Sequence, residues 1–131
     1  MRSLIALAAA SLAVLVLAGC GSPPHYSLPS TKACLQKAGL EITPPTADFV
    51  AESATVGSFR AHFAGGKKAN AVTILFGRNA QEAKDSALGY IRFHARNVGV
   101  YDILFVDKNV TMLWKEHASP ADKATVTGCL K

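Results

Sequence analysis

The spacing of apolar positions changes along the chain, and each spacing marks an element. In "GSFRAHFA", Phe59, Ala61 and Phe63 alternate with Ser58, Arg60 and His62, the period of a strand with one buried face. "AVTILFG" repeats the pattern through Val72, Ile74 and Phe76 after the turn-like "GGKKAN", so the two runs predict a hairpin. The period then lengthens. Ala80, Ala83, Ala87, Leu88, Ile91, Ala95 and Val98 trace one side of a helix, with Asn79 as its cap, Glu82 three residues on and Gly99 as its stop. "YDILFVDKNVTMLWK" predicts a second hairpin with Lys108 and Asn109 at its tip, Asn being at ease with positive φ. That register pairs Phe105 with Met112, Ile103 with Trp114 and Asp102 with Lys115. "SPAD" supplies the cap, proline and acid of a closing helix that runs to about Cys129. Near the start, Ser30 or Thr31 caps a short helix to about Ala38, and Gly39 stops it. "TPPTADFVAESATVG" predicts irregular chain with one helical turn after Thr46.

A helix followed twice by strand-strand-helix predicts an α+β fold: a two-layer sandwich whose four-stranded antiparallel sheet carries its helices on one face. The core side holds Phe59, Phe63, Ile74, Phe76, Ile103, Phe105, Met112 and Trp114. The other side then shows Arg60, His62, Thr73, Leu75, Leu104, Val106, Thr111 and Leu113. Apolar positions bordered by polar ones have the make-up of a contact face. The alternative is that the segment from Ile42 to Gly57 folds across this face and buries it.

The first residues carry a different message. Met1 and Arg2 precede an apolar run from Leu4 to Ala18, broken only by Ser11. The run falls short of the roughly 20 residues of a spanning helix and has the form of a secretory signal peptide. Leu17, Ala18, Gly19 and Cys20 resemble the lipobox of bacterial lipoproteins. The resemblance covers about twenty residues. It implies cleavage before Cys20, a diacylglyceryl group on its sulfur, often a further acyl chain such as palmitate on the new terminus, and an extracytoplasmic place on the cell membrane or outer membrane. Residues 1–19 are then signal peptide, 20–30 a lipidated cysteine with a flexible tether, and 31–131 a single domain whose first partner is the lipid bilayer. The competing reading is an ordinary signal peptide with a chance cysteine. In the tether "GSPPHYSLPS", prolines and small polar residues favour extended chain, and His25 and Tyr26 read as solvated.

With Cys20 acylated, Cys34 and Cys129 remain as an even pair in an oxidising compartment, which predicts a disulfide around nearly the whole domain. Two buried thiols or a redox pair are the alternatives, although a redox motif would place its cysteines close together beside a helix start. The cysteine spacing, "NVTMLW" and the terminal "GCLK" are similar to those of a group of small two-cysteine secreted bacterial proteins, a resemblance that implies a fold but no activity. The formal charge is +5, falling to +4 when Arg2 leaves with the signal peptide. The cations are scattered, which suits a solvated surface with weak attraction to anionic lipid heads or wall polymers and not a nucleic-acid partner.

Sequence motifs for chemistry are sparse. His62, His94 and His117 lack metal-ligand spacing, so no metal or other cofactor is predicted. None of Ser53, Ser58, Ser86 and Ser119 sits in a nucleophile motif, and Gly65-Gly66-Lys67-Lys68 lacks the strand-loop-helix frame of a phosphate loop. Asp102, Asp107 and Glu116 read as strand-end or turn residues. The expectation is a non-catalytic, membrane-anchored binding module, with an envelope protein or wall polymer as its partner. A passive structural lipoprotein and a small enzyme assembled only in the fold are the alternatives.

Overall fold

The computed structural model describes residues 24–93 and 99–131. Five strands, not four, form one antiparallel sheet: β1 (Glu41–Thr43), β2 (Gly57–His62), β3 (Ala71–Phe76), β4 (Leu104–Asp107) and β5 (Val110–Trp114), in the order β1-β2-β3-β5-β4. The strand that the sequence reading missed is β1. Three residues between Leu40 and the Pro44-Pro45 pair are too few to show a period, yet they pair Glu41 with His62 and Thr43 with Arg60. The β2–β3 hairpin forms as expected, from Gly57 opposite Phe76 to His62 opposite Ala71.

Lys108 and Asn109 do form a two-residue tip between β4 and β5, and Phe105 faces Met112. The ladder ends at Leu104–Leu113, because Val100–Ile103 coil into a short helix; Ile103–Trp114 and Asp102–Lys115 are therefore not strand pairs. Positive φ at the tip belongs to Lys108, at 50°, and not to Asn109.

On one face lie α1 (Leu28–Lys37) and α5 (Pro120–Cys129). The cap of α1 is Ser27, earlier than expected, and Gly39 leaves the helix at φ 91°, a conformation that glycine adopts without strain. Ser119 caps α5 as its sequence predicts, accepting from the Asp122 amide at 3.1 Å. The Cys34–Cys129 disulfide staples the two helices, with Cα atoms 5.4 Å apart. Beneath them Leu35, Phe59, Ile74, Phe76, Met112, Trp114 and Val126 form the larger core, and Phe63 stacks on Trp114 at 5.9 Å.

The opposite face is covered too. It carries α2 (Phe49–Glu52), capped by Asp48, and α3 (Ala80–Phe93), capped by Asn79, whose Oδ1 accepts from the Glu82 amide at 3.0 Å. Leu75 packs there with Val50, Ala51 and Tyr90, while its neighbours Ile74 and Phe76 point into the first core. The sheet is thus the middle of three layers, which corrects the expected sandwich with helices on one face. Every residue of β3 is buried, Thr73 included. The packed side of α3 is Ala83, Ala87 and Tyr90, and Leu88 faces solvent. Ala95 and Val98, expected in the same helix, lie outside the described residues, as do residues 1–23 with the lipobox and Cys20. The short helix α4 (Val100–Ile103) leads into β4.

Tyr26 is not a solvated tether residue. Its amide donates to Asn109 Oδ1 at 2.7 Å, its carbonyl accepts from Asn109 Nδ2 at 3.0 Å, and its hydroxyl donates to Asp107 at 2.8 Å. The Lys108 ammonium sits over its ring, 4.7 Å from the centroid. Next in the chain, the Ser27 amide donates to the Lys131 carbonyl.

Candidate functional site: the Arg60 pocket

The eight positions of the expected contact face do share one side of the sheet, but α2 and α3 lie on it. Leu75 is 1 % exposed and Thr111 0 %, and Thr73 is buried with them; Leu104 and Leu113 are half-buried. Two polar strand residues make the cover adhere. Ser58 donates to the Ala51 carbonyl at 2.6 Å, and Thr111 to the Ala83 carbonyl at 2.6 Å. These two hydroxyls therefore meet helix carbonyls. Val106, at 40 %, is the one apolar member left exposed. The open apolar face of the sequence reading is corrected accordingly: the segment between Ile42 and Gly57, together with α3, closes it.

The cover stops short at one end, and there a pocket of about 500 Å³ opens. Its floor is strand residues Arg60, Thr73 and Leu113, which are cross-strand neighbours in a row running from Thr43 on β1. Its walls are Asp48, Val50, Tyr90 and Lys115, and its rim carries Phe49 and Phe93. Those two rings meet edge to face with centroids 4.4 Å apart, yet remain 58 % and 62 % exposed.

Local chain geometry places each wall residue. Ala47 holds a positive φ of 58°, a conformation that costs a non-glycine residue on the order of 1–2 kcal/mol. The turn aims Asp48 inward, where Oδ1 accepts from the Ala51 amide at 3.0 Å and Oδ2 from the Tyr90 hydroxyl at 2.7 Å. Burial first, and the bond to Asp48 second, push the Tyr90 hydroxyl well above the ordinary tyrosine range; the Arg60 guanidinium opposes that shift from nearby. Tyr90 is therefore a neutral donor at physiological pH.

Arg60 is the group left unanswered. Its Nε is buried without a hydrogen-bond partner, and among the described residues no carboxylate lies within ion-pairing distance of it. Asp48 is nearby, but both of its oxygens are engaged. Lys115 also lines the pocket, beside the aromatic rim. Lys115 itself contacts Glu116 at 3.9 Å and the Ala69 carbonyl at 3.3 Å.

The remaining chemistry-bearing residues do not converge here. His62 Nε2 lies 2.8 Å from the Thr43 hydroxyl, His117 is exposed, and His94 lies outside the described residues. Among the described residues no group of three or more His, Cys, Asp or Glu side chains is placed to hold a metal. Ser53 donates to the Val50 carbonyl at 2.9 Å, and Gly66–Lys68 form a 3-10 turn between β2 and β3. Sequence reasoning named Arg60 as part of a face but missed Asp48 and Tyr90. The signal for Tyr90 was available, since it falls three residues after Ala87 and seven after Ala83 on the packed side of α3. Compared with family models, curated proteins and solved structures, the chain matches none.

Proposed function

We propose that the protein is a lipid-anchored, extracytoplasmic binding module whose pocket takes a ligand bearing a carboxylate or phosphate next to a flat apolar group. The observation that carries this reading is the unanswered Arg60. A guanidinium with a buried, unsatisfied nitrogen is costly unless a counter-charge meets it, and guanidinium geometry suits carboxylate and phosphate oxygens two at a time. Phe49 and Phe93 supply the apolar flank. Asp48 and Tyr90 hold each other and are not poised to move a proton, which favours capture over catalysis.

The anchor is read from Leu17 to Cys20, where two or three acyl chains would hold the protein firmly on a bilayer. The Cys34–Cys129 disulfide suits an exported domain, because such bonds persist in oxidising compartments.

Native mass spectrometry of the acylated protein, released gently from its own envelope, tests the reading. The expected result is an acylated species carrying an anionic small molecule that Arg60→Gln lacks. Bare protein in both samples would contradict the binding role, and wild-type protein without acyl chains would contradict the anchor.

A further inference from the structure

We propose that the contact between Tyr26 and Asn109 docks the domain on its own anchor, so that the β4–β5 tip faces the phospholipid surface and the Arg60 pocket faces away from it. The inference rests on the lipid-anchor reading of Cys20. Five residues lie between Cys20 and Tyr26, so the six Cα steps reach at most about 20 Å even when fully extended. A folded domain of about a hundred residues has a radius of gyration near 13 Å, so such a leash is shorter than the domain is wide. Attachment at Tyr26 therefore restricts which end can meet the bilayer.

Several elements converge on the attached end. Asn109, buried at 3 % exposure, also donates to the Gly77 carbonyl at 3.0 Å and accepts from the Gly77 amide through its own carbonyl at 2.8 Å, tying the end of β3 to Tyr26. Leu28 presses on Gly57 at the start of β2, where a Cβ would come within 2.9 Å of it. Lys131 joins through Ser27, and Lys108 through the Tyr26 ring. This end thus carries Lys108 and Lys131 alongside Asp107, and lysines near a bilayer are drawn to anionic headgroups. The pocket lies at the other end of the strands. From Asn109 to Lys115 is six residues along β5, about 20 Å of strand. A pocket so placed opens toward whatever lies beyond the membrane and not toward lipid.

Site-directed spin labels on the full, acylated chain in phosphatidylcholine–phosphatidylglycerol vesicles test the orientation, with nickel chelated to a fraction of the headgroups. Val56→Cys is exposed at the attached end but distant from Cys20 in sequence, and Glu116→Cys is exposed at the pocket end. Nickel should relax the label at 56 several-fold more than the label at 116. A Gly/Ser insertion between Gly21 and Ser22, which leaves the Tyr26 contacts intact, should bring the two closer together. Equal relaxation of both labels in acylated, vesicle-bound protein overturns the orientation while leaving the anchor standing. Protein that carries no acyl chain overturns both.

Discussion

Tyr26 and Asn109, 83 residues apart in sequence, bond reciprocally: the amide and carbonyl of Tyr26 meet the two ends of the Asn109 side-chain amide. A side chain at a hairpin tip thus joins the N-terminal segment to the sheet, because a primary amide can donate and accept along one backbone edge.

Asn109→Ala removes three side-chain hydrogen bonds at a buried position and strands the Gly77 carbonyl. Chemical denaturation should show a loss of about 2–3 kcal/mol. Asn109→Asp keeps the shape but cannot donate, so it should fall at least as far. Tyr26→Phe, which loses only the hydroxyl bond to Asp107, should lose well under 1 kcal/mol, since that bond is exposed.

At the start of α3, Glu82 accepts from the Arg78 side chain at 2.7 Å, from the Thr55 hydroxyl, and from the Arg78 amide at 2.7 Å. These bonds, the Arg78 side chain foremost, hold its carboxyl down to about 2. A depressed carboxylate contributes stability above its unfolded value, roughly 4.3, and loses it as pH falls through the folded one. A carbon-detected NMR titration should therefore place the Glu82 midpoint near 2, and Arg78→Ala should return it toward the ordinary range.

The two helical layers predict a contrast on the α2–α3 face. Leu75→Lys should unfold the domain, because the ammonium would sit unpaired under Val50 and Tyr90. Val106→Lys, on the same side of the sheet but on the exposed edge strand, should shift the thermal midpoint by only a degree or two. Equal damage at both positions would mean that the cover extends over Val106 as well.

What the sequence made legible is what short-range patterns encode. The β2–β3 hairpin, the Lys108-Asn109 tip, the Asn79 and Ser119 caps and the Cys34–Cys129 pair all follow from residues within a few positions of each other or from the count of cysteines. What was missed depends on contacts across the chain. Three-residue β1 has no period of its own and exists because β2 offers an edge. Asp48 meets Tyr90 across 42 residues, and Tyr26 docks on a turn at the far end of the chain. The third layer was foreshadowed in β3, where Ala71 and Leu75 stand at positions that the alternation reserves for polar residues; a strand buried at every position needs cover on both sides.

Arg60→Leu separates function from stability. Replacing a guanidinium that lacks an ion-pair partner with an apolar side chain should leave stability unchanged or raise it by about 1 kcal/mol, as judged by denaturation, while removing the positive floor of the pocket.

The most direct test follows the Arg60 Nε–H signal and the Thr73 backbone amide by nitrogen-15 NMR while benzoate or phenyl phosphate is added, each pairing an anion with a flat ring. The account predicts saturable shifts of both signals, with the Asn109 side-chain amide at the opposite end unmoved and no saturable response at Thr73 in Arg60→Gln. Signals at Arg60 and Thr73 that stay still, or that drift linearly along with those of exposed surface lysines, would contradict it.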